Sequence, residues 1–175
     1  ESEIPAVMNL RDMNVRLSKS KFEIQILGVL KNIYACFCGI AFNLGLNFRA
    51  SILKHIILEI EKIFDDLLLN KAMLYDYAGI SDLILTCTSE ASRNFTEGMH
   101  LSNGIRGKHL SEARHSALAF FTRFGNKYPI CYMVYKAITL NEDSLSNANE
   151  SNSKSVINVN IVNEIYSLIQ YLDAY

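Results

Sequence analysis

Lys31 stands in the most apolar stretch of the chain, with Asn32 beside it. Gly28 and Ala35 lie one helical turn before and after it, and such small neighbours leave room around an ammonium group. Two readings follow. Either the lysine snorkels to the surface along its aliphatic stem, or it is a desolvated group acting as general acid or base. A second polar cluster runs from Ser81-Asp82 through Thr86, Cys87 and Thr88 to Ser92-Arg93-Asn94. On residue types alone, Asp82 is a helix cap and Ser92-Arg93-Asn94 a loop. The chemical alternative is anion recognition, in which Arg93 offers a planar fork to phosphate oxygens with hydroxyl and amide donors adjacent.

Other chemistries are poorly supplied. Cys36-x-Cys38 has no complementary ligand spacing among Cys87, Cys131 and the four histidines, so no metal is expected. The cysteines sit in apolar stretches as small hydrophobes, which suits a reducing cytosol better than a disulfide framework. Lys and Arg number 17 against 18 Asp and Glu, a net charge of −1 that lacks the cationic surplus of a nucleic-acid binder. No membrane span is expected: Phe22 to Leu46 is interrupted by Glu23, Gln25, Lys31, Asn32 and Asn43.

The elements that must position these residues read as helices. At 175 residues the chain suits one compact domain, or one and a fraction. Half of it is hydrophobic and it holds only two prolines, eight glycines and no tryptophan, a balance that excludes disorder and disfavours a turn-rich sandwich. A long buried helix is expected from Lys21 to about Leu44. Asn47 is placed as the cap of a second, in which Leu53, Ile56, Ile57, Ile60, Ile63, Phe64, Leu67 and Leu68 keep helical spacing. Lys71 to Gly79 reads as a short helix. Ser81 to Ser89 fits either a strand or a helix, and Glu90 to Lys108, with three glycines, reads as an irregular loop. A helix from Leu110 ends at Gly125, and Pro129 opens the next. Asn141 to Ser155 reads as a flexible spacer before an amphipathic helix over Val156 to Leu172, with Ile161, Ile165, Leu168 and Leu172 on one face. Asn14 to Leu17 is a possible small strand.

Leu30-Lys31-Asn32, Gly45 to Ala50 and above all Ser81 to Asn94 (SDLILTCTSEASRN) resemble the C-terminal half of NAD(P)-dependent glycerol-3-phosphate dehydrogenases. That family carries Leu-Lys-Asn on a long central helix, then Gly-Asp-Leu-x-x-Thr-Cys and Ser-Arg-Asn in the same order. Phe124-Gly125 and Tyr128-Pro129-Ile130 are similar to a later family stretch ending in Met-Pro-Ile, so the likeness spans roughly 14–138. It implies an all-α bundle of the kind shared with 6-phosphogluconate dehydrogenase C-terminal domains. Lys31 and Asp82 match the catalytic pair. With Ser92, Arg93 and Asn94 they match the substrate-binding set, Arg93 also approaching the cofactor, while Asn32 and Thr86 match lesser members of the pocket. The implied reaction interconverts glycerol 3-phosphate and dihydroxyacetone phosphate with NAD or NADP, a cytoplasmic step toward glycerophospholipids.

Departures from the family are visible too. No G-x-G-x-x-G occurs, so a dinucleotide-binding domain is expected outside this sequence, with residues 1–20 a remnant or linker toward it and 21–175 the substrate domain. The isolated chain is then expected to be inactive. Ser81 replaces the usual glycine, Lys54-His55-Ile56 stands for Thr-Arg-Gly, and Phe95-Thr96-Glu97 follows Asn94 where basic residues are usual, which should weaken phosphate binding. The segment resembling Val-Glu-Gly is not recognisable near Leu110-Ser111-Glu112. The rival to an enzyme is a degenerate, non-catalytic helical module kept for association. An apolar patch left without its partner domain would favour a homodimer.

Overall fold

The computed structural model describes residues 18–105, 111–146 and 153–174, and the possible strand at Asn14 to Leu17 lies outside them. Among the described residues every regular element is helical: α1 (Lys21–Ile40), α2 (Leu46–Asp66), α3 (Asp82–Thr88), α4 (Arg93–Ser102), α5 (Glu112–Phe124), α6 (Pro129–Ser146) and α7 (Ser153–Asp173). Short 3₁₀ turns occupy Phe42–Leu44 and Lys71–Tyr75, and a wide helical turn occupies Tyr77–Ser81.

Helix α1 is the axle. Every residue from Asn32 to Ile40 is buried, on all faces of the helix, as a segment this apolar requires. By length and composition α1 could cross a membrane, but in this fold α3, α4, α5 and α6 wrap it. It ends at Ile40 rather than near Leu44, because the chain tightens into the 3₁₀ turn at Phe42 and then swings at Gly45, whose φ of +87° suits glycine. That swing starts α2 at Leu46, so Asn47 lies inside the helix and does not cap it. Of the face expected on α2, Ile56, Ile60, Ile63 and Phe64 enter the core, joined by Ile52. Leu53, Ile57 and Leu67 are only partly buried, and Leu68, beyond the helix end at Asp66 with φ +55°, is 94% exposed.

The stretch expected as a loop after Glu90 contains a helix instead. Ser92 caps α4 by accepting the Phe95 N–H at 3.3 Å, and Phe95 and Leu101 are fully buried. Gly98 is no turn here. A Cβ on it would stand 2.0 Å from the Cys36 carbonyl oxygen, and one on Gly39 would stand 2.0 Å from the Phe95 carbonyl oxygen. The two glycines let α1 and α4 cross backbone to backbone.

Ser81 to Ser89 resolves as helix, burying Leu83 and Cys87 one turn apart on α3. Helix α5 is capped by Ser111, which accepts the Ala113 N–H at 3.2 Å, and it stops at Gly125 with φ +60°. Pro129 opens α6 as expected. The cap of α6 comes from far away, since buried Glu59 of α2 accepts the Ile130 N–H at 2.8 Å and the Cys131 N–H at 3.0 Å. Helix α6 runs on through Ser146, so the Asn/Ser-rich stretch is helical at 141–146 and again from Ser153; 147–152 lie outside the described residues. Ile161, Ile165 and Ile169 seat α7, and Asp173 near its end accepts from Ser51, Lys54 and His55 of α2.

Candidate active site

Where α1 meets α3, the Lys31 ammonium donates to Asp82 Oδ2 at 2.5 Å. Both side chains keep about a third of their surface, 31% and 35%. Lys31 is therefore neither fully desolvated nor free in solvent. It is held at the edge of the core by a carboxylate 51 residues away in sequence. Thr86, one turn along α3, donates to the Asp82 carbonyl at 2.6 Å and lies 3.5 Å from Asp82 Oδ1, which steadies the carboxylate from its other side.

One residue further along α1, Asn32 turns inward to α4. Asn94 Nδ2 donates to Asn32 Oδ1 at 2.8 Å, and Asn32 Nδ2 donates to Glu112 Oε2 at 3.1 Å. Asn94 is buried (7% exposed), and its Oδ1 accepts from Ser111 Oγ at 2.9 Å and from the Ala113 N–H at 3.0 Å. Arg93 projects into solvent, 74% exposed, with Glu112 Oε1 3.6 Å from its guanidinium. An exposed pair of this kind is worth well under ~1 kcal/mol, so the guanidinium fork stays available to an anion. Ser92 spends its hydroxyl on the α4 cap.

The structure thus joins the proposed set from two directions. Lys31 pairs with Asp82, and Asn32, the next residue on α1, bonds Asn94, the neighbour of Arg93 on α4. The altered run after Asn94 does not face the site. Glu97 is buried (3% exposed) and is bound by Arg114 at 2.5 Å, while Thr96 donates to the Glu90 carbonyl at 2.9 Å. The negative charge expected to weaken phosphate binding is neutralised inside the core. Two residues at the site are not assigned to it from the sequence, Ser111 and Glu112, which fall where the Val-Glu-Gly segment is not recognisable. Their local signal is a helix-start pair, serine then acid, which occurs at helix ends without any site nearby.

Burial shifts several groups that lie away from this site. It pushes the carboxyl of Glu59 up, against its backbone and side-chain donors, and the thiol of Cys131 well up, while a hydrogen bond with Cys38, and burial after it, raises the thiol of Cys87. All four cysteines are buried and unbridged, and among the described residues no three metal-ligating side chains cluster.

Among the described residues, then, a helical bundle gathers a lysine–carboxylate pair, an arginine and an asparagine pair around one central helix. Residues 22–173 match the family described as NAD-dependent glycerol-3-phosphate dehydrogenase C-terminus, and the chain belongs to that family. Among curated relatives, glycerol-3-phosphate dehydrogenase [NAD(P)+] of Syntrophobacter fumaroxidans is 34% identical over 138 residues, covering 72% of this chain and 41% of that protein. The enzyme of the same name from Azotobacter vinelandii is 34% identical over 104 residues, covering 58% of this chain and 31% of that one. The crystal structure of glycerol-3-phosphate dehydrogenase from Coxiella burnetii superposes with a TM-score of 0.70 at 22% identity, over 82% of this chain and half of that one. That likeness shows a shared fold. The chain spans less than half the length of these two curated relatives.

Proposed function

We propose that this chain is the substrate half of an NAD(P)-dependent glycerol-3-phosphate dehydrogenase, acting together with a dinucleotide-binding domain. The observation that carries the reading is the convergence of Lys31 with Asp82 at 2.5 Å beside the Asn32–Asn94 bond at 2.8 Å. Four residues from three helices, matching the family's motif in order, meet at one edge of α1.

In this reading the Ser92-Arg93-Asn94 turn holds the phosphate at the start of α4. The exposed Arg93 guanidinium and the helix dipole favour an anion, the Ser92 hydroxyl can donate while its oxygen caps the helix, and buried Asn94 ties the turn to Asn32. Lys31 exchanges a proton with the C2 oxygen of the substrate, and Asp82 holds the ammonium in place for it. Arg93, exposed at the rim, fits a second contact to a cofactor phosphate. A nicotinamide, when bound, supplies or takes the hydride at C2. The enzyme then interconverts glycerol 3-phosphate and dihydroxyacetone phosphate in the cytoplasm, feeding glycerophospholipid synthesis, and the chain alone does not turn over.

Calorimetric titration with dihydroxyacetone phosphate, run beside Arg93→Ala, tests the reading. Binding that the substitution weakens by about tenfold or more supports a phosphate site. Binding that is indifferent to Arg93 sinks it. The rival, a non-catalytic association module, draws on the departures from the family, and its turned-in Glu97 no longer counts for it.

A further inference from the structure

The polar chain behind the site has a direction. A backbone N–H can only donate, so the Ala113 N–H fixes the oxygen of Asn94 on its own side of the amide. The Asn94 amino group is thereby aimed at Asn32, which must turn its oxygen inward and its own amino group outward to Glu112. Ser111 completes the set. Its hydroxyl is buried (3% exposed), donates to Asn94 Oδ1 at 2.9 Å, and accepts part of the Ala113 N–H at 3.2 Å. With both donors present the Asn94 oxygen is saturated, and a flipped amide would turn its amino group on the Ala113 N–H and lose the donation from the Ser111 hydroxyl.

We propose that Ser111 is a positioning residue: its hydroxyl, together with the Ala113 N–H, holds the Asn94 amide, and through it Asn32, so that Asn32 turns an N–H donor rather than a carbonyl oxygen toward Glu112, the carboxylate beside Arg93. The helix cap that Ser111 also makes would be served equally by asparagine or aspartate. A cap alone needs no donor, whereas the contact to Asn94 does. The binding consequence rests on the phosphate reading above, but the locking does not.

The test uses ¹⁵N-labelled protein, wild type, Ser111→Ala and Ser111→Thr, with two readouts. Proton exchange of the Asn32 and Asn94 side-chain amides is followed by NMR without ligand, and dihydroxyacetone phosphate is then titrated. In the wild type both amides exchange slowly. In Ser111→Ala they exchange about tenfold faster and binding weakens several-fold, and Ser111→Thr restores both. Loss of the cap alone would lower the melting temperature and leave the two amide signals as they were, which overturns the proposal. Slow amides in the wild type that loosen in Ser111→Ala, with no phosphate binding in any variant, uphold the lock and overturn the phosphate site instead.

Discussion

Glu59 holds the start of α6 from another helix, and removing it has a computable consequence. Its carboxylate accepts the Ile130 N–H at 2.8 Å, the Cys131 N–H at 3.0 Å and the Tyr34 hydroxyl at 3.1 Å, all buried. Glu59→Ala strands three donors. At ~1–3 kcal/mol for each buried unsatisfied group, with partial recovery from relaxation, the loss is about 4 kcal/mol. For a domain of this size each kcal/mol lowers Tm by ~2–4 °C, so calorimetry should show a fall of about 12 °C. Glu59→Gln keeps one oxygen for Cys131 and Tyr34 but turns an amino group on the Ile130 N–H, which costs about 2 kcal/mol and ~6 °C.

The pH dependence supplies a second check on the same residue. Burial raises the Glu59 pKa above 4.5, so the folded state binds more protons than the unfolded one just above that pH. Stability from this group is therefore full below 4.5 and declines as pH rises through the folded pKa. Glutamine does not titrate, so the stability gap between wild type and Glu59→Gln should narrow as pH climbs from 4.5. A fall under 3 °C for Glu59→Ala, or a gap that widens with pH, would refute the reasoning.

Gly98→Ala places a methyl 2.0 Å from the Cys36 carbonyl oxygen, so α1 and α4 must part; a loss of about 3 kcal/mol in denaturant unfolding is expected, and a neutral result would show that the crossing is looser than drawn. Arg114→Met leaves the buried Glu97 carboxylate without its partner and should cost ~3–5 kcal/mol, most of it recovered by adding Glu97→Gln. Asp173 has its carboxyl lowered from 3.8 to about 2, first by His55 and then by Ser51 and Lys54. The docking of α7 that it supports is complete above pH 3.8 and is lost as pH falls through about 2, which hydrogen exchange of the α7 amides should register before the rest of the fold opens.

How much of this the sequence discloses depends on what each residue's partners are. The Ile56, Ile60, Ile63 and Phe64 face of α2 and the stops at Gly125 and Pro129 are local facts, set by spacing and backbone limits, and they stand in the structure where the residues place them, whereas Leu68 leaves the pattern where the helix ends at Asp66. Helix α4 hid because glycine has two uses. In a polar stretch Gly98 reads as freedom for a turn, while its role is to vanish so that another helix can approach, and only the presence of α1 distinguishes the two. Glu59 and Glu97 look like surface carboxylates in sequence. Their burial is decided by donors 71 and 17 residues away, on α6 and at Arg114. Lys31 and Asp82 were legible as a pair through the family motif, since nothing in local spacing joins residues 51 apart.

Two contacts between α1 and α4 hold the candidate site's frame independently of the sequence around it. One is dry, the glycine crossing at Gly39 and Gly98; the other is polar, the Asn32–Asn94 bond. Along α1 they are seven residues apart, about 10 Å, and along α4 four residues, about 6 Å. Two anchors at different heights fix both the distance between the helices and their angle, where one would leave a pivot. Lys31 and Arg93, each adjacent to an anchor residue, inherit that fixed geometry. Changes such as Phe95-Thr96-Glu97 are then free to be absorbed by the core, with Phe95 buried and Glu97 paired, provided that neither anchor is altered.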